Sequence, residues 1–146
     1  MARPDPWRLD PASYPYSTTI QTRFQDLDPL GHINNVAMAA LFESGRVRFN
    51  RAMGLMAFRD HRWLVAQVIV NYLAEGQFPA DVEIATGIGR IGTRSWHLLS
   101  TAFQDGIAIA TCDVVLVMSA ETGATQFPDG FREALEGFRV DGGGRE

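Results

Sequence analysis

The chain has 146 residues, of which 46% are hydrophobic and 21% charged, and its formal net charge is -4. That length suits one domain able to bury roughly 68–70% of its unfolded surface without help from a disulfide or metal. The acidic balance argues against a general nucleic-acid binder, which usually shows a basic face. All 13 basic residues are arginine, so a bound anion must be held by guanidinium groups, backbone N–H groups or helix ends.

The sequence predicts a cytoplasmic protein that does not interact with membranes. The start of the chain is polar and rich in proline and does not resemble a signal peptide. No apolar run approaches the ~20 residues that a membrane span requires. The single cysteine, Cys112, lies in an apolar run and is expected to be a small buried hydrophobe in a reducing compartment.

The first third of the chain predicts a strand, a turn and a helix. Residues 1–15 contain four prolines and predict an irregular lead-in, and residues 16–24 alternate as a first strand does. Proline and glycine in residues 26–31 mark a tight turn. Residues 35–53 have a helical pattern that Asn34 or Asn35 can cap.

The predicted helix has an unusual distribution of apolar residues. Its first half, VAMAALF, is apolar on nearly every face, which is typical of a helix that is buried all round. A strongly curved sheet can wrap such a helix, with a second subunit contributing. Gly54 stands where a helix C-cap glycine belongs.

The rest of the chain predicts four more strands and a short closing helix. Asp105-Gly106 is a strong hairpin signal, and consecutive hairpins indicate a mostly antiparallel α+β arrangement. We expect one domain over residues 16–138 and a flexible tail over residues 139–146. The predicted strands are residues 63–73, 82–91, 95–104 and 107–118, and the closing helix is residues 131–138.

The stretch from Arg23 to Arg46, RFQDLDPLGHINNVAMAALFESGR, is the best candidate for a site. Two carboxylates, a histidine and two asparagines lie directly before a helix start, where unpaired N–H groups and the helix dipole can polarise a carbonyl. A carboxylate held nearby could attack that carbonyl or activate water. The same residues also make a common Asp-Pro turn and an asparagine cap, so both interpretations stand on spacing alone.

The stretch resembles the 4-hydroxybenzoyl-CoA thioesterase family of hotdog proteins. That family's pattern is roughly D-x-D-x-x-G-H-[VI]-N-N, followed by a helix that ends in F-E-x-A-R. The resemblance implies a hotdog fold, in which a curved, mostly antiparallel five-stranded sheet wraps around a long central helix. The residues that carry it here are Asp26, Asp28, Gly31, His32, Ile33, Asn34, Asn35, Phe42, Glu43 and Arg46.

The resemblance also implies roles in the turn and at the helix start. Asp28 matches the catalytic aspartate, which acts as nucleophile or as general base. The backbone N–H of Asn35 matches the donor that polarises the thioester carbonyl, and Gly31 matches the residue that allows close approach of the substrate. Asp26 is interpreted as structural. His32 either positions water or substrate, or is a satisfied turn histidine.

Further expected contacts lie along the helix and at a distant turn. Met38, Leu41 and Phe42 are expected to border the acyl group, although Met38 and Leu41 stand where the family often has tyrosine. Arg94, and less strongly Arg90, matches the place of cations that contact coenzyme A phosphates; surface solvation is the alternative for both. Glu43 and Arg46 lie three residues apart and are expected to pair, the alternative being that a buried Glu43 lines the pocket. Gly45 replaces the usual alanine.

The implied activity is acyl-coenzyme A thioester hydrolysis without metal or cofactor. Acyl-carrier protein stays open as the thiol carrier, and the resemblance implies a homodimer or a tetramer of hotdog dimers. Two alternatives remain. One is an acyl-thioester hydratase or dehydratase on the same fold, and the other is a non-catalytic acyl-CoA-binding module.

Overall fold

One antiparallel sheet forms the frame of the protein in the computed structural model, which describes residues 3–141. Its five main strands lie in the order β1-β3-β4-β5-β2, and every neighbouring pair is antiparallel. This is the expected α+β hotdog sheet. The strands are β1 (Tyr16–Ile20), β2 (Arg62–Tyr72), β3 (Val82–Ile91), β4 (Ser95–Gln104) and β5 (Ile107–Ala120), with a short β6 (Gly123–Ala124) on β5.

Turn residues set most strand boundaries. The structure confirms the predicted bounds of β3 and β4. Asp105 and Gly106 have φ angles of 51° and 79°, the left-handed pair that a two-residue hairpin requires. β1 is shorter than predicted and ends at Ile20, and Phe24–Asp26 form a 3-10 helix instead of continuing the strand.

The 18-residue helix α1 (Asn35–Ala52) lies across one face of the sheet, which we call the inner face. Its length is about 27 Å. The all-round burial that we expected is wrong for the single chain, because the sheet covers only one side of α1. Val36 on the opposite side is 81% exposed. The buried side of α1 consists of Ala37, Met38, Leu41, Phe42, Gly45 and Phe49.

The core lies between α1 and the inner face. Ile84 and Ile88 of β3 and Trp96 of β4 are almost completely buried there. Cys112 is buried in the same cluster, and burial raises the pKa of its thiol to about 11. The helix α2 (Phe131–Glu136) closes one end of this core with an aromatic contact to Trp96, whose ring centroid lies 4.9 Å from that of Phe131.

The N-terminal lead-in, which we expected to be irregular, contains short helical turns where the structure describes it. It forms two 3-10 helices, Pro6–Leu9 and Pro11–Ser13, and covers the outer face of the sheet. The buried guanidinium of Arg8 donates to the Tyr14 hydroxyl at 2.7 Å and to the Ser100 carbonyl at 2.9 Å, and it pairs with Asp113 at 2.8 Å. These distant partners explain why local sequence did not reveal the order.

The start of the expected flexible tail is also ordered. Val140 is buried, and its N–H donates to the Ile88 carbonyl at 2.9 Å. The N–H of Asp141 donates to the Ser13 carbonyl at 2.8 Å, so the tail joins the lead-in on the outer face. Residues 142–146 of the predicted tail lie outside the described residues.

The structure also bears on membrane association. Across residues 3–141, no helix combines the length and the apolar character needed to cross a membrane.

α1 packs tightly against the sheet at Gly45. A Cβ atom at this position would lie 2.6 Å from the Cγ2 atom of the fully buried Ile84. We expect Gly45→Ala to lower the free energy of unfolding by about 1–2 kcal/mol, measured by urea denaturation. Overpacking costs about 1–3 kcal/mol, which outweighs the gain of about 1 kcal/mol from replacing glycine in a helix.

A double-mutant cycle with Ile84→Ala tests the cause. This change removes the clashing methyl group and leaves space that the new alanine can fill. Gly45→Ala should therefore be neutral or stabilising in the Ile84→Ala background, with a coupling free energy in the range of about 0.5–3 kcal/mol. Additive effects would show that the contact does not limit the residue at position 45.

Candidate active site

A closed turn between β1 and α1 carries Asp28. The N–H of Asp28 donates to the His32 carbonyl at 2.8 Å, and the N–H of Gly31 donates to the Asp28 carbonyl at 2.9 Å. Gly31 has a φ angle of 84°, a left-handed conformation that glycine adopts without steric cost. The backbone conformation of the turn therefore requires glycine here. This structural reason is separate from the expected one, that Gly31 allows close approach of the substrate.

The carboxylate of Asp28 is held through one oxygen. Its Oδ1 accepts hydrogen bonds from the N–H groups of Leu30 at 2.9 Å and His32 at 3.1 Å. Within residues 3–141, no hydrogen bond or ion pair involves the other oxygen, Oδ2. The half-buried side chain faces a surface depression, so Oδ2 is available to a ligand.

Asn34 caps α1, which decides between the two predicted capping residues. Its Oδ1 accepts from the Ala37 N–H at 2.8 Å, and its own N–H donates to the Asp26 carbonyl at 2.8 Å. The N–H groups of Asn35 and Val36 have no acceptor among the described residues. They are the unpaired donors that every helix start presents.

These groups converge on one open depression of about 590 Å³. That size falls within the range of about 300–1,000 Å³ that is usual for small-molecule sites. Asp28 and Asn35, predicted as carboxylate and carbonyl donor, both line it. The lining residues are Arg23, Gln25, Asp26, Asp28, Asn34, Asn35, Val36, Ala37 and Ala40.

Asp26 stabilises the turn through hydrogen bonds with Arg23. It is 3% exposed, and its Oδ2 accepts from the Arg23 backbone N–H at 2.9 Å. The Arg23 guanidinium donates to its Oδ1 at 2.7 Å and 3.1 Å. These hydrogen bonds from Arg23 hold the pKa of the Asp26 carboxyl below its usual range. The contacts fit the structural role interpreted from the sequence.

His32 points away from the depression. Its Nε2 lies 3.0 Å from the Glu75 carboxylate, and it is not among the lining residues. The next residue, Ile33, donates its N–H to the Gly76 carbonyl at 3.0 Å. His32 thus ties the turn to the loop after β2, and its proposed contact with water or substrate has no support within the chain.

The predicted acyl-binding residues are part of the core. Met38, Leu41 and Phe42 are each less than 8% exposed, and none of them lines the depression. They occupy the side of α1 that packs on the sheet. The path along these side chains that we expected is therefore wrong for the single chain, and the helix residues beside Asp28 are Val36, Ala37 and Ala40.

The two predicted phosphate-binding arginines are far from Asp28 within one chain. Arg90 is near the end of β3 and Arg94 is in the following turn, and both are exposed. Asp28 lies near the opposite end, so the length of β3, about 30 Å, separates them. Glu43 and Arg46 form the predicted pair, with 3.6 Å between Arg46 and the Glu43 carboxylate. Glu43 is exposed and lines no described pocket near Asp28.

Five residues that line the depression were not predicted from the sequence: Arg23, Gln25, Val36, Ala37 and Ala40. Arg23 and Gln25 precede the recognised motif, and alanine carries no chemical signal of its own. Glu75 was also missed, because only the fold brings it to His32. Among residues 3–141, no group of three or more His, Cys, Asp or Glu side chains is arranged to hold a metal ion.

Asp26→Asn tests the structural role of Asp26. The folded pKa lies below the unfolded value of about 3.9, so the ionised carboxylate stabilises the fold above that pH and this contribution is lost as pH falls through the folded pKa. We expect the variant to lose about 1–3 kcal/mol of unfolding free energy at pH 7, the scale of hydrogen bonds to a charged group. In urea denaturation the deficit should shrink as pH falls below 4.

Asp81→Asn is the matched control, because Asp81 is exposed near the same end of the sheet and lies outside the depression. The Asp81→Asn variant should keep the wild-type free energy of unfolding at pH 7 and also below pH 4. Equal stability of Asp26→Asn and wild type at pH 7 would refute the structural role.

Comparison with known proteins identifies the family. A family model described as the thioesterase-like superfamily matches residues 22–135. No curated protein matches the chain significantly.

Solved structures share the fold over most of the chain. A predicted thioesterase from Bacillus stearothermophilus is 29% identical, with a TM-score of 0.78, covering 88% of this chain and 98% of its own. A Thermus thermophilus thioesterase complexed with coenzyme A and Zn is 25% identical, with a TM-score of 0.76 and coverages of 86% and 95%. A DHNA-CoA thioesterase from Staphylococcus aureus is 21% identical, with a TM-score of 0.72 and coverages of 83% and 88%, and shows the shared fold. The chain belongs to the thioesterase-like superfamily.

Proposed function

We propose that the protein hydrolyses an acyl-coenzyme A thioester to the free acid and the coenzyme A thiol, with Asp28 as the reacting carboxylate. The observation that carries the proposal is the shared depression, which Asp28 and Asn35 both line and beside which the Asn35 N–H has no acceptor among residues 3–141. Family membership supports thioester hydrolysis as the class of reaction. The Thermus thermophilus relative, complexed with coenzyme A, supports coenzyme A as the carrier.

The reaction needs an oriented carbonyl, a carboxylate and water. The thioester oxygen accepts from the Asn35 N–H, and the neighbouring Val36 N–H is a second donor for the charge that develops on it. Asp28 Oδ2 attacks the carbonyl carbon or takes a proton from the attacking water. In both routes the carbon–sulfur bond breaks, and the thiolate leaves with the bonding electrons and takes up a proton. When Asp28 attacks directly, the acyl group is left on its carboxylate as a mixed anhydride, and a water molecule then hydrolyses this anhydride to the free acid and regenerates Asp28. No metal or cofactor is required, because a thiolate is a good leaving group.

We further propose that two copies pair through β2. Among residues 3–141 this strand is hydrogen-bonded to β5 alone, so its other edge presents unpaired backbone groups. Leu64, Val65, Val68 and Ile69 of β2 are each more than 40% exposed, an apolar patch that indicates an interface.

A two-fold dimer would also complete the binding site. A two-fold axis at β2 makes the paired strands antiparallel, because the interface is the same on both copies. The Arg94 end of one copy then lies beside the Asp28 end of the other. We propose that Arg94 and Arg90 contact the coenzyme A phosphates across this dimer, which is consistent with their distance from Asp28 within one chain.

The hydratase alternative is weaker than hydrolysis. That chemistry pairs a histidine with a carboxylate, and here the His32 ring contacts Glu75 rather than the depression. A thiol-release assay with acyl-CoA and an absorbance assay with an enoyl-CoA separate the two reactions. Binding of acyl-CoA without either signal would favour the non-catalytic module.

Asp28→Asn tests the catalytic role. The asparagine carbonyl oxygen can still accept the hydrogen bonds from Leu30 and His32, so the turn is retained while the charge is lost. We expect kcat to fall by at least ~100-fold with little change in KM, the scale of a lost general base. The measurement is thiol release from a series of short, long and aromatic acyl-CoA thioesters.

Asp81→Asn again serves as control, since it removes a carboxylate from the same end of the sheet without touching the depression. It should keep wild-type kcat. Asp28→Asn turning over at more than about a third of the wild-type rate would reject the catalytic role.

Val68→Glu combined with Ile69→Glu tests the β2 interface. The two side chains lie on opposite faces of the strand, so charges at both disrupt pairing on either face. We expect a dimeric wild type and a monomeric variant by light scattering after size exclusion, because burying an unpaired charge is costly. Thiol release should fall at least ~10-fold, because the monomer lacks the phosphate contacts that the other copy would supply.

Ile107→Glu provides the matched control, because Ile107 is 63% exposed and begins β5 at the hairpin away from the β2 edge. It should remain dimeric and active. A double variant that stays dimeric, or a wild type that is monomeric and active, would contradict the interface.

A further inference from the structure

The depression has two chemically different walls. The α1 wall beyond Asn35 consists of the apolar side chains of Val36, Ala37 and Ala40. The lining outside α1 includes the polar side chains of Arg23 and Gln25, both exposed. A thioester also has two chemically different parts, because its acyl chain is apolar and the arm of its carrier contains amide groups. The apolar part gains by contacting the apolar wall, and the amide groups need polar partners.

Alanine is the smallest side chain that α1 could present to this space without losing helix propensity. Ala40 is exposed and follows Asn35 by five residues along α1, a rise of about 7.5 Å. A group bound at the Asn35 N–H therefore has to extend through several carbons before it reaches the methyl group of Ala40. A two-carbon acyl group is too short to reach it.

We infer that Ala40 determines the size of the acyl group, and that the substrate class is thioesters of apolar acyl chains long enough to pass along Val36, Ala37 and Ala40. This inference rests on the proposed function and specifies which part of the depression receives the acyl group. It replaces the buried Met38, Leu41 and Phe42 with the exposed Val36 and Ala40, together with Ala37 at the border of the core.

Ala39 provides an internal control. It is also exposed and also within α1, but it does not line the depression. Successive residues of a helix point about 100° apart, so a leucine at position 39 is directed away from a leucine at position 40. Leucine is a good helix former, so both variants should fold, which circular dichroism and thermal unfolding verify.

The experiment compares Ala40→Leu with Ala39→Leu on octanoyl-CoA and acetyl-CoA. We expect Ala40→Leu to lower kcat/KM for octanoyl-CoA by at least ~10-fold, since blocking even one methylene of space discriminates by about that factor. Its kcat/KM for acetyl-CoA should stay within about two-fold of the wild type. Ala39→Leu should leave both substrates unchanged.

Three kinetic outcomes would overturn the inference. Equal losses on both substrates would place the carrier arm, rather than the acyl chain, beside Ala40. Unchanged kinetics of Ala40→Leu would place the acyl chain elsewhere. Equal effects of Ala39→Leu and Ala40→Leu would attribute the loss to the helix as a whole.

A binding measurement separates this inference from the proposed function. S-octyl-coenzyme A and S-ethyl-coenzyme A are thioethers that cannot be hydrolysed, and calorimetry gives their affinities independently of catalysis. Ala40→Leu should weaken S-octyl-coenzyme A by at least ~10-fold and leave S-ethyl-coenzyme A unchanged. Selective weakening together with an active Asp28→Asn variant would support the acyl wall and reject the catalytic role of Asp28. If Ala40→Leu does not weaken S-octyl-coenzyme A selectively while Asp28→Asn abolishes turnover, the catalytic role of Asp28 is supported and the acyl wall is rejected.

Discussion

The hydrogen bond from the Asn34 N–H to the Asp26 carbonyl joins the start of α1 to the turn that follows β1. Both partners are fixed by further contacts, because Asn34 caps the helix and Asp26 is bound by Arg23. Misplacing reacting groups by about 1 Å can cost two orders of magnitude in rate. The proposed chemistry therefore depends on this hydrogen bond, because it keeps Asp28 and Asn35 beside the same depression.

The two sides of α1 have separate tasks. The side with Met38, Phe42 and Gly45 packs against the sheet and anchors the helix. The side with Val36 and Ala40 faces the space in which a substrate would bind. The apolar first half of α1 therefore needs no complete wrapping to account for it, because the core and an open depression each use one side.

The sequence was informative wherever the signal was local. Alternation placed β3 and β4, Asp105-Gly106 placed a hairpin, and the resemblance of the local motif identified Asp28 and Asn35, which the fold brings to one depression. The errors arose where the outcome depends on distant partners. Which side of α1 is buried depends on the sheet, so Met38 could not be separated from Ala40 by periodicity. The order of the lead-in depends on Asp113 and Ser100, which contact Arg8 across the outer face.

The hydrogen bond from the Asp141 N–H to the Ser13 carbonyl joins the last described residue to the lead-in. They meet on the outer face of the sheet, and the depression lies on the side of α1. Neighbouring termini of this kind are what make circular permutation possible. A short linker could join them, and new ends could be opened at the exposed Asp105-Gly106 hairpin. A surface anchor attached near Ser13 and Asp141 would lie on the outer face of the sheet and would leave the depression accessible.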